Sequence, residues 1–341
     1  MMQFIELLEY SSSSIKVQFD EWYKSVPVAG AWYIVSDYSV GDKNKNNDAF
    51  SFVVLQNHDT YENIAEFVKI VAPRDIKASK KASLGLIEYL GCPVTFSLNF
   101  LIQRESQFLK NLFTLEAMAA ITDSLRSVVA DWLAAEPLNI EYYAELDKKL
   151  RMLRAELGEK QPNSTLLRKV FLVSSFSAIT HSLVNDLKAP LMIKWISDRD
   201  AMFDRFQGVA FDLTWLLFQI MRRRKDGSLD LNRPQIYFAT PYMDGKEDYD
   251  EFVRLPDFLA GTLADMRLPH AMFSHTKFPP IFNNLLVKSN NNTILEIIAE
   301  PGGVTTARRI AFGDVPTGAK TARYHDQSPP VPIPFIGGPR N

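Results

Sequence analysis

The chain has 341 residues, 46% of them apolar and 23% charged, with 38 basic side chains against 40 acidic ones and a formal net charge of −2. This is an ordinary globular composition on a chain above the size at which one core stops growing, so one large domain with insertions is expected. The single cysteine, Cys92, excludes an internal disulfide and any Cys-x-x-Cys pair for zinc or redox work, while the charge balance neither demands nor forbids a nucleic-acid partner.

The opening residues MMQFIELLEY lack the basic start, apolar stretch and small-residue cleavage site of a signal peptide. The longest apolar stretch, 208–221, carries Asp212. No membrane span is therefore expected, and the default setting is a reducing, cytoplasmic one.

In chain order, 30–40 is rich in aromatic and β-branched residues and predicts a buried strand. The hydrophilic turn 41–48 leads to a second strand over 49–56, closing a hairpin. Residues 60–72 read as a short helix or a third strand, ended by Pro73. A helix is expected over 76–90 and a strand over 94–102. Apolar residues at spacings of three and four then predict helices over 104–136, 140–158 and 164–187, together a helical insertion serving as a cap or a dimer element. Strand character returns at 190–197 and stops at Asp198, and one long helix is expected over 201–224. The basic run 222–225 at its end complements the helix dipole. A short strand over 234–240, an acidic loop over 243–251 and a helix over 254–266 follow. The Pro- and Gly-rich segment 301–341 is expected to be an extended tail or an arm laid on a second copy of the chain.

Three aspartates end these elements in an informative order. Asp37 lies late in the first strand, Asp198 ends the central strand, and Asp257 lies in the late helix just after Pro256. Carboxylates at one rim of a sheet, closed by a third from a helix, supply the oxygen ligands that Mg²⁺ or Mn²⁺ needs, and such ions can clamp a phosphodiester. Each residue also has a plainer reading. Asp37 suits a hairpin turn, Asp198 or Asp200 suits the N-cap of the next helix, and Asp257 suits a first helical turn. Gly261 and Asp265 follow Asp257 on the same side of the helix, and Gly261 would let that helix approach the sheet closely. Arg74, Lys77, Lys80, Lys81 and Arg199 are candidates for phosphate contacts, or else a solvated charged face. Asp212 orients the site or faces a wet crevice.

The stretch YIVSDYSVGDKNKNNDAFSFVVL resembles the opening hairpin of the domain-of-unknown-function family numbered 3800, whose first strand carries an aspartate followed by Glu-Ser-Gly. PRDIKASK is similar to that family's acidic-x-Lys segment, IKWISDRD to its central strand and RLPDFLAGTLADM to its late helix. The resemblance spans about residues 30–267. It implies a ribonuclease-H-like α/β fold, a mixed sheet flanked by helices, over 25–300 with the helical insertion at 104–187. It also implies a metal-dependent nuclease acting on nucleic acid, in which Asp37, Asp198 and Asp257 bind Mg²⁺ or Mn²⁺ and Lys77, beside Asp75, contacts a phosphate. The chain departs from the pattern at Tyr38, where an acid is usual, at Val40 for Gly, and at Leu255 for Gln. The alternative is accordingly a non-catalytic ribonuclease-H-like binding or assembly module.

Other chemistries lack their motifs. There is no Gly-x-x-x-x-Gly-Lys-Ser, Gly-x-Gly-x-x-Gly, Gly-x-Ser-x-Gly or His-Glu-x-x-His. The 5 histidines are scattered, His181 reads as a core residue, and Cys92 has no evident base nearby.

Overall fold

The computed structural model describes residues 2–27, 29–104, 113–135, 139–188, 190–226, 234–241, 248–299, 305–313, 323–326 and 332–333. Their strands are β1 (Ala31–Ser39), β2 (Asn47–Gln56), β3 (Thr95–Gln103), β4 (Met192–Ser197), β5 (Gln235–Ala239), β6 (Asn292–Ala299), β7 (Thr305–Gly313), β8 (Arg323–Asp326) and β9 (Pro332–Ile333). The helices are α1 (Met2–Ser25), α2 (Tyr61–Val71), α3 (Leu84–Leu90), α4 (Leu115–Ala135), α5 (Ile140–Leu157), α6 (Ser164–Lys188), α7 (Ala201–Asp204), α8 (Val209–Asp226), α9 (Asp250–Asp265) and α10 (Phe278–Ile281).

The fold is mixed α/β. One sheet runs β5-β4-β1-β2-β3-β6-β7-β8, with β9 also on β7. β1, β2 and β3 form an antiparallel meander, and β4 and β5 extend it in parallel from β1. β2 is buried along its whole length because helices cover both faces of the sheet, so its residues do not alternate between buried and exposed.

β1 shows the two faces most clearly. Trp32, Ile34 and Tyr38 point into a core shared with α1, α4, α5, α6 and α8. Tyr33 and Val35 point into the opposite core, shared with α2, α3, α9 and α10. α6 sits against the sheet itself. Phe176 stacks on Phe100 of β3 at 4.1 Å between ring centroids and meets Phe50 of β2 edge-on at 5.2 Å. The helices between β3 and β4 thus line one face of the sheet, where the sequence suggested a cap.

Several expected boundaries move. The segment 60–72 resolves as helix α2, whose Thr60 hydroxyl accepts the Asn63 N–H. The helix expected over 76–90 shortens to α3, because Asp75 captures the chain in a turn: its carboxylate accepts the Ala78 N–H at 2.7 Å and its carbonyl the Ser79 N–H at 3.1 Å. The helix expected over 201–224 breaks at Phe206, Gln207 and Gly208, where φ is +52°, +56° and +77°. Residues eight apart on one helix would be separated by about 12 Å along its axis. The break instead folds Phe203 and Phe211 into a stack at 4.7 Å.

α9 begins at Asp250, with Asp250 and Glu251 in its first turn and Pro256 in its interior. The helix therefore starts before the expected Arg254, and Asp257 lies in its middle rather than its first turn. Part of the expected tail is sheet, since β7 pairs with β6. Residues 327–331 and 334–341, which carry most of the Pro-rich stretch and the expected dimer arm, lie outside the described residues.

The sequence signals of α1 and β6 went unread. Ile15, Phe19, Trp22, Tyr23 and Val26 recur at helical spacing and are buried. On β6, Glu296 is fully buried, yet it is held by Arg308 at 2.8 Å and by Gln103. Among the described residues no helix is long and apolar enough to cross a membrane.

Removing the ring at the centre of the sheet's helical cover should be costly. Phe176→Ala is expected to destabilise the protein by about 3–5 kcal/mol, the range for truncating a buried aromatic, measured as a lower denaturant midpoint.

Candidate active site

Period-2 alternation sends Asp37 to the α9 face of β1 and Tyr38 to the other. Tyr38 packs near Phe50 and Phe52, and its hydroxyl is within hydrogen-bond distance of Ser36 Oγ at 2.6 Å and Ser197 Oγ at 2.9 Å. An acid after Asp37 would therefore have faced away from the aspartates, and Tyr38 subtracts no carboxylate from them.

The parallel ladder between β1 and β4 places Asp198. Ser36 pairs with Ser197, and the Asp198 N–H continues the pairing by donating to the Ser36 carbonyl at 2.9 Å. Asp198 thus leaves β4 beside Asp37. α9 packs over the same face through Phe252, Leu255, Leu259 and Leu263, and this brings Asp257 to the pair.

Together the three aspartates line a cleft of about 330 Å³ with Arg74, Asp75, Lys77, Asp250 and Arg254. A larger groove of about 950 Å³ runs between α1 and α3, but its wall mixes Trp22, Leu84 and Ile87 with Gln18, Glu21 and Lys288. The converging aspartates, rather than the greater volume, mark the smaller cleft as the candidate site.

Burial is the main force on these carboxyls. It holds Asp37 well above the usual carboxylate range, and the charges of Asp257 and Asp198 push the same way. Asp198 is also raised, chiefly by burial, with the Arg199 N–H and Lys77 opposing. Burial pushes Asp257 up to about 6 against the pull of the Ile76 N–H and Lys77, and the Asp75 and Asp198 charges add to the rise. The Asp37 and Asp198 side chains also act directly on each other, which raises Asp37 further and draws Asp198 down.

The segment before α3 supplies two cations, Arg74 and Lys77, and α9 a third, Arg254. Of the basic residues singled out in the sequence, Arg74 and Lys77 line the cleft, whereas Lys80, Lys81 and Arg199 are exposed outside its lining. Asp75 and Asp250 add two further carboxylates to the lining, Asp75 anticipated only as the neighbour of Lys77. Asp257 accepts the Ile76 N–H at 2.6 Å, which ties this segment to α9. Gly261 makes that approach possible: a Cβ there would lie 3.1 Å from Ile76 Cγ2. The close contact of Gly261 is therefore with the loop, not with the sheet.

Other candidates have structural partners. Asp200 caps α7 by accepting the Met202 N–H at 3.0 Å and pairs with Lys169. Asp212 pairs with Lys149 at 2.8 Å. Asp265 is buried, but the Ser274 hydroxyl and Lys45, at 2.6 and 2.9 Å, outweigh that burial and hold its carboxyl below the usual range. His181 is fully buried and its Nδ1 meets the Ser177 carbonyl at 2.8 Å.

The donor set suits a hard cation, since oxygen ligands from several aspartates are what Mg²⁺ and Mn²⁺ take. Among the described residues, however, no three His, Cys, Asp or Glu side chains already surround a common point in ligand geometry. Bringing three carboxylates around one cation would require rotation of the Asp37, Asp198 and Asp257 side chains. Comparison with family models, curated proteins and solved structures finds no match to the chain.

The raised carboxyls fix a pH dependence. Where the folded pKa exceeds the unfolded value near 4, the native state holds protons that the unfolded chain has lost, so stability falls as pH rises through that window. For Asp257 the window runs from about 4 to about 6, with a slope of up to roughly 1.4 kcal/mol per pH unit for one group. Asp37→Asn removes one of the crowded charges. It is expected to stabilise the protein by about 1–2 kcal/mol at pH 7.5, with the gain vanishing near pH 4, when denaturant midpoints are followed across pH.

Proposed function

We propose that the cleft is the active site of a divalent-metal-dependent phosphodiesterase of ribonuclease-H-like type acting on nucleic acid, with Asp37, Asp198 and Asp257 as metal ligands. The observation that carries this reading is the convergence of the three aspartates, from two neighbouring parallel strands and a helix, on one face of the sheet. The β3-β2-β1-β4-β5 portion of the sheet, antiparallel and then parallel, accords with that fold type, as does the resemblance of the motifs around these residues to the family numbered 3800. The unpaired cysteine is in keeping with a cytoplasmic setting.

In this reading each residue has a distinct task. Asp37, the most enclosed of the three, anchors the ligand set from the sheet. Asp198 sits nearer solvent, and Asp257 is oriented by its bond to the Ile76 N–H. Lys77 and Arg74 hold substrate phosphates over the carboxylates and offset the charge that develops there. A Mg²⁺ or Mn²⁺ ion held by the aspartates would polarise a phosphoryl oxygen and acidify a bound water.

The crowding of the raised carboxyls of Asp37 and Asp198 favours a second reading, a binding module that uses Arg74 and Lys77 without catalysis. The two differ in their response to metal. Calorimetry at pH 7.5 should show Mn²⁺ binding that Asp198→Asn abolishes. Mn²⁺-dependent cleavage of DNA or RNA oligonucleotides should fall at least about 10²-fold in the same variant. A wild-type protein that binds no divalent cation removes the phosphodiesterase, while chelator-insensitive oligonucleotide binding without cleavage selects the module.

A further inference from the structure

We propose that Lys277 is a positioning residue: its ammonium clamps the backbone of residues 76–79 and thereby fixes where Lys77 and Arg74 stand over the aspartates. What the loop would position them for rests on the function proposed above. That Lys277 holds the loop is independent of it.

The segment between α2 and α3 takes no part in the sheet, so its position depends on a few anchors. Arg254 donates to the Ala72 carbonyl at 2.9 Å. Asp257 accepts the Ile76 N–H. Lys277 donates to the Ile76 carbonyl and, at 3.2 Å, to the Ser79 carbonyl. Ile76 is thus gripped from both sides, an anion on its N–H and a cation on its C=O, while its side chain is buried over Gly261.

Arg254 and Asp257 line the cleft, and Lys277 does not. Lys277 is therefore placed to act on the cleft only through the loop. Its bonding supports this role. Among the described residues it makes no ion pair, and both hydrogen bonds of its half-buried ammonium go to carbonyls of this one segment. Hydrogen bonds from a charged donor are roughly twice as strong as neutral ones. Lys77 is exposed on a flexible stem and gains a defined place chiefly from the backbone that carries it.

The test compares the wild type with Lys277→Met and Lys277→Arg. Amide hydrogen exchange over residues 74–79 is expected to quicken about tenfold in Lys277→Met, as for loss of a charge-assisted bond, and to return toward wild type in Lys277→Arg. Exchange in β1 and β4 should stay unchanged. With a single-stranded DNA oligonucleotide and Mn²⁺, KM should rise about tenfold in Lys277→Met, with kcat changed much less, and Lys277→Arg should recover it. Unaltered loop exchange in Lys277→Met overturns the proposal, as does quickened exchange with an unaltered KM. Should Lys277→Met fail to fold, Lys277→Gln replaces it in both measurements. If the wild type neither binds nor cleaves the oligonucleotide, the phosphodiesterase reading fails, and hydrogen exchange still decides whether Lys277 holds the loop.

Discussion

The parallel pairing of β1 with β4 is the constraint on which the rest of the site depends. It joins two strands separated in sequence by two strands and five helices, and its last bond, from the Asp198 N–H to the Ser36 carbonyl, sets Asp198 beside Asp37. A one-residue slip in this register would turn Asp198 to the opposite face of the sheet. The last helix before β4, α6, is itself docked on the sheet through the Phe176 stack.

Placing carboxyls together under a helix works against stability. Buried like charges are costly, and here the cost shows as raised carboxyls. Other buried acids of this protein have found partners: Asp265 has Lys45 and Ser274, and Glu296 has Arg308. The cleft aspartates are crowded with one another instead. Such an arrangement is retained where chemistry needs it, and it separates this cleft from the larger but chemically ordinary groove beside α1.

The sequence carried much of this plan. Alternation in β1 put Asp37 and Tyr38 on opposite faces, and the polar stop after 190–197 put Asp198 at a strand end. Apolar spacing defined α5 and α6 within a few residues and the end of α4, which starts at Leu115 rather than at 104. Where expectation missed, a long-range contact had overridden the local pattern. The segment 76–83 has helical character, yet Asp75 and the grip of Asp257 and Lys277 on Ile76 hold it as a loop. The helix is expected from Arg254, but packing of Phe252 and Val253 against the sheet draws it back to Asp250.

By itself the sequence determined the α/β class, the periodicity of each element and the candidates Asp37, Asp198, Asp257 and Lys77, because period, polarity and element ends are local properties of the chain. Only the tertiary structure decided that the three aspartates share one cleft and that Asp75 and Arg74 join them. It alone showed that Asp200, Asp212 and Asp265 have other partners and that Lys277 reaches the loop from outside the cleft. Those outcomes depend on strand order, register and helix docking, which bring together residues far apart in the chain and leave no mark in local spacing.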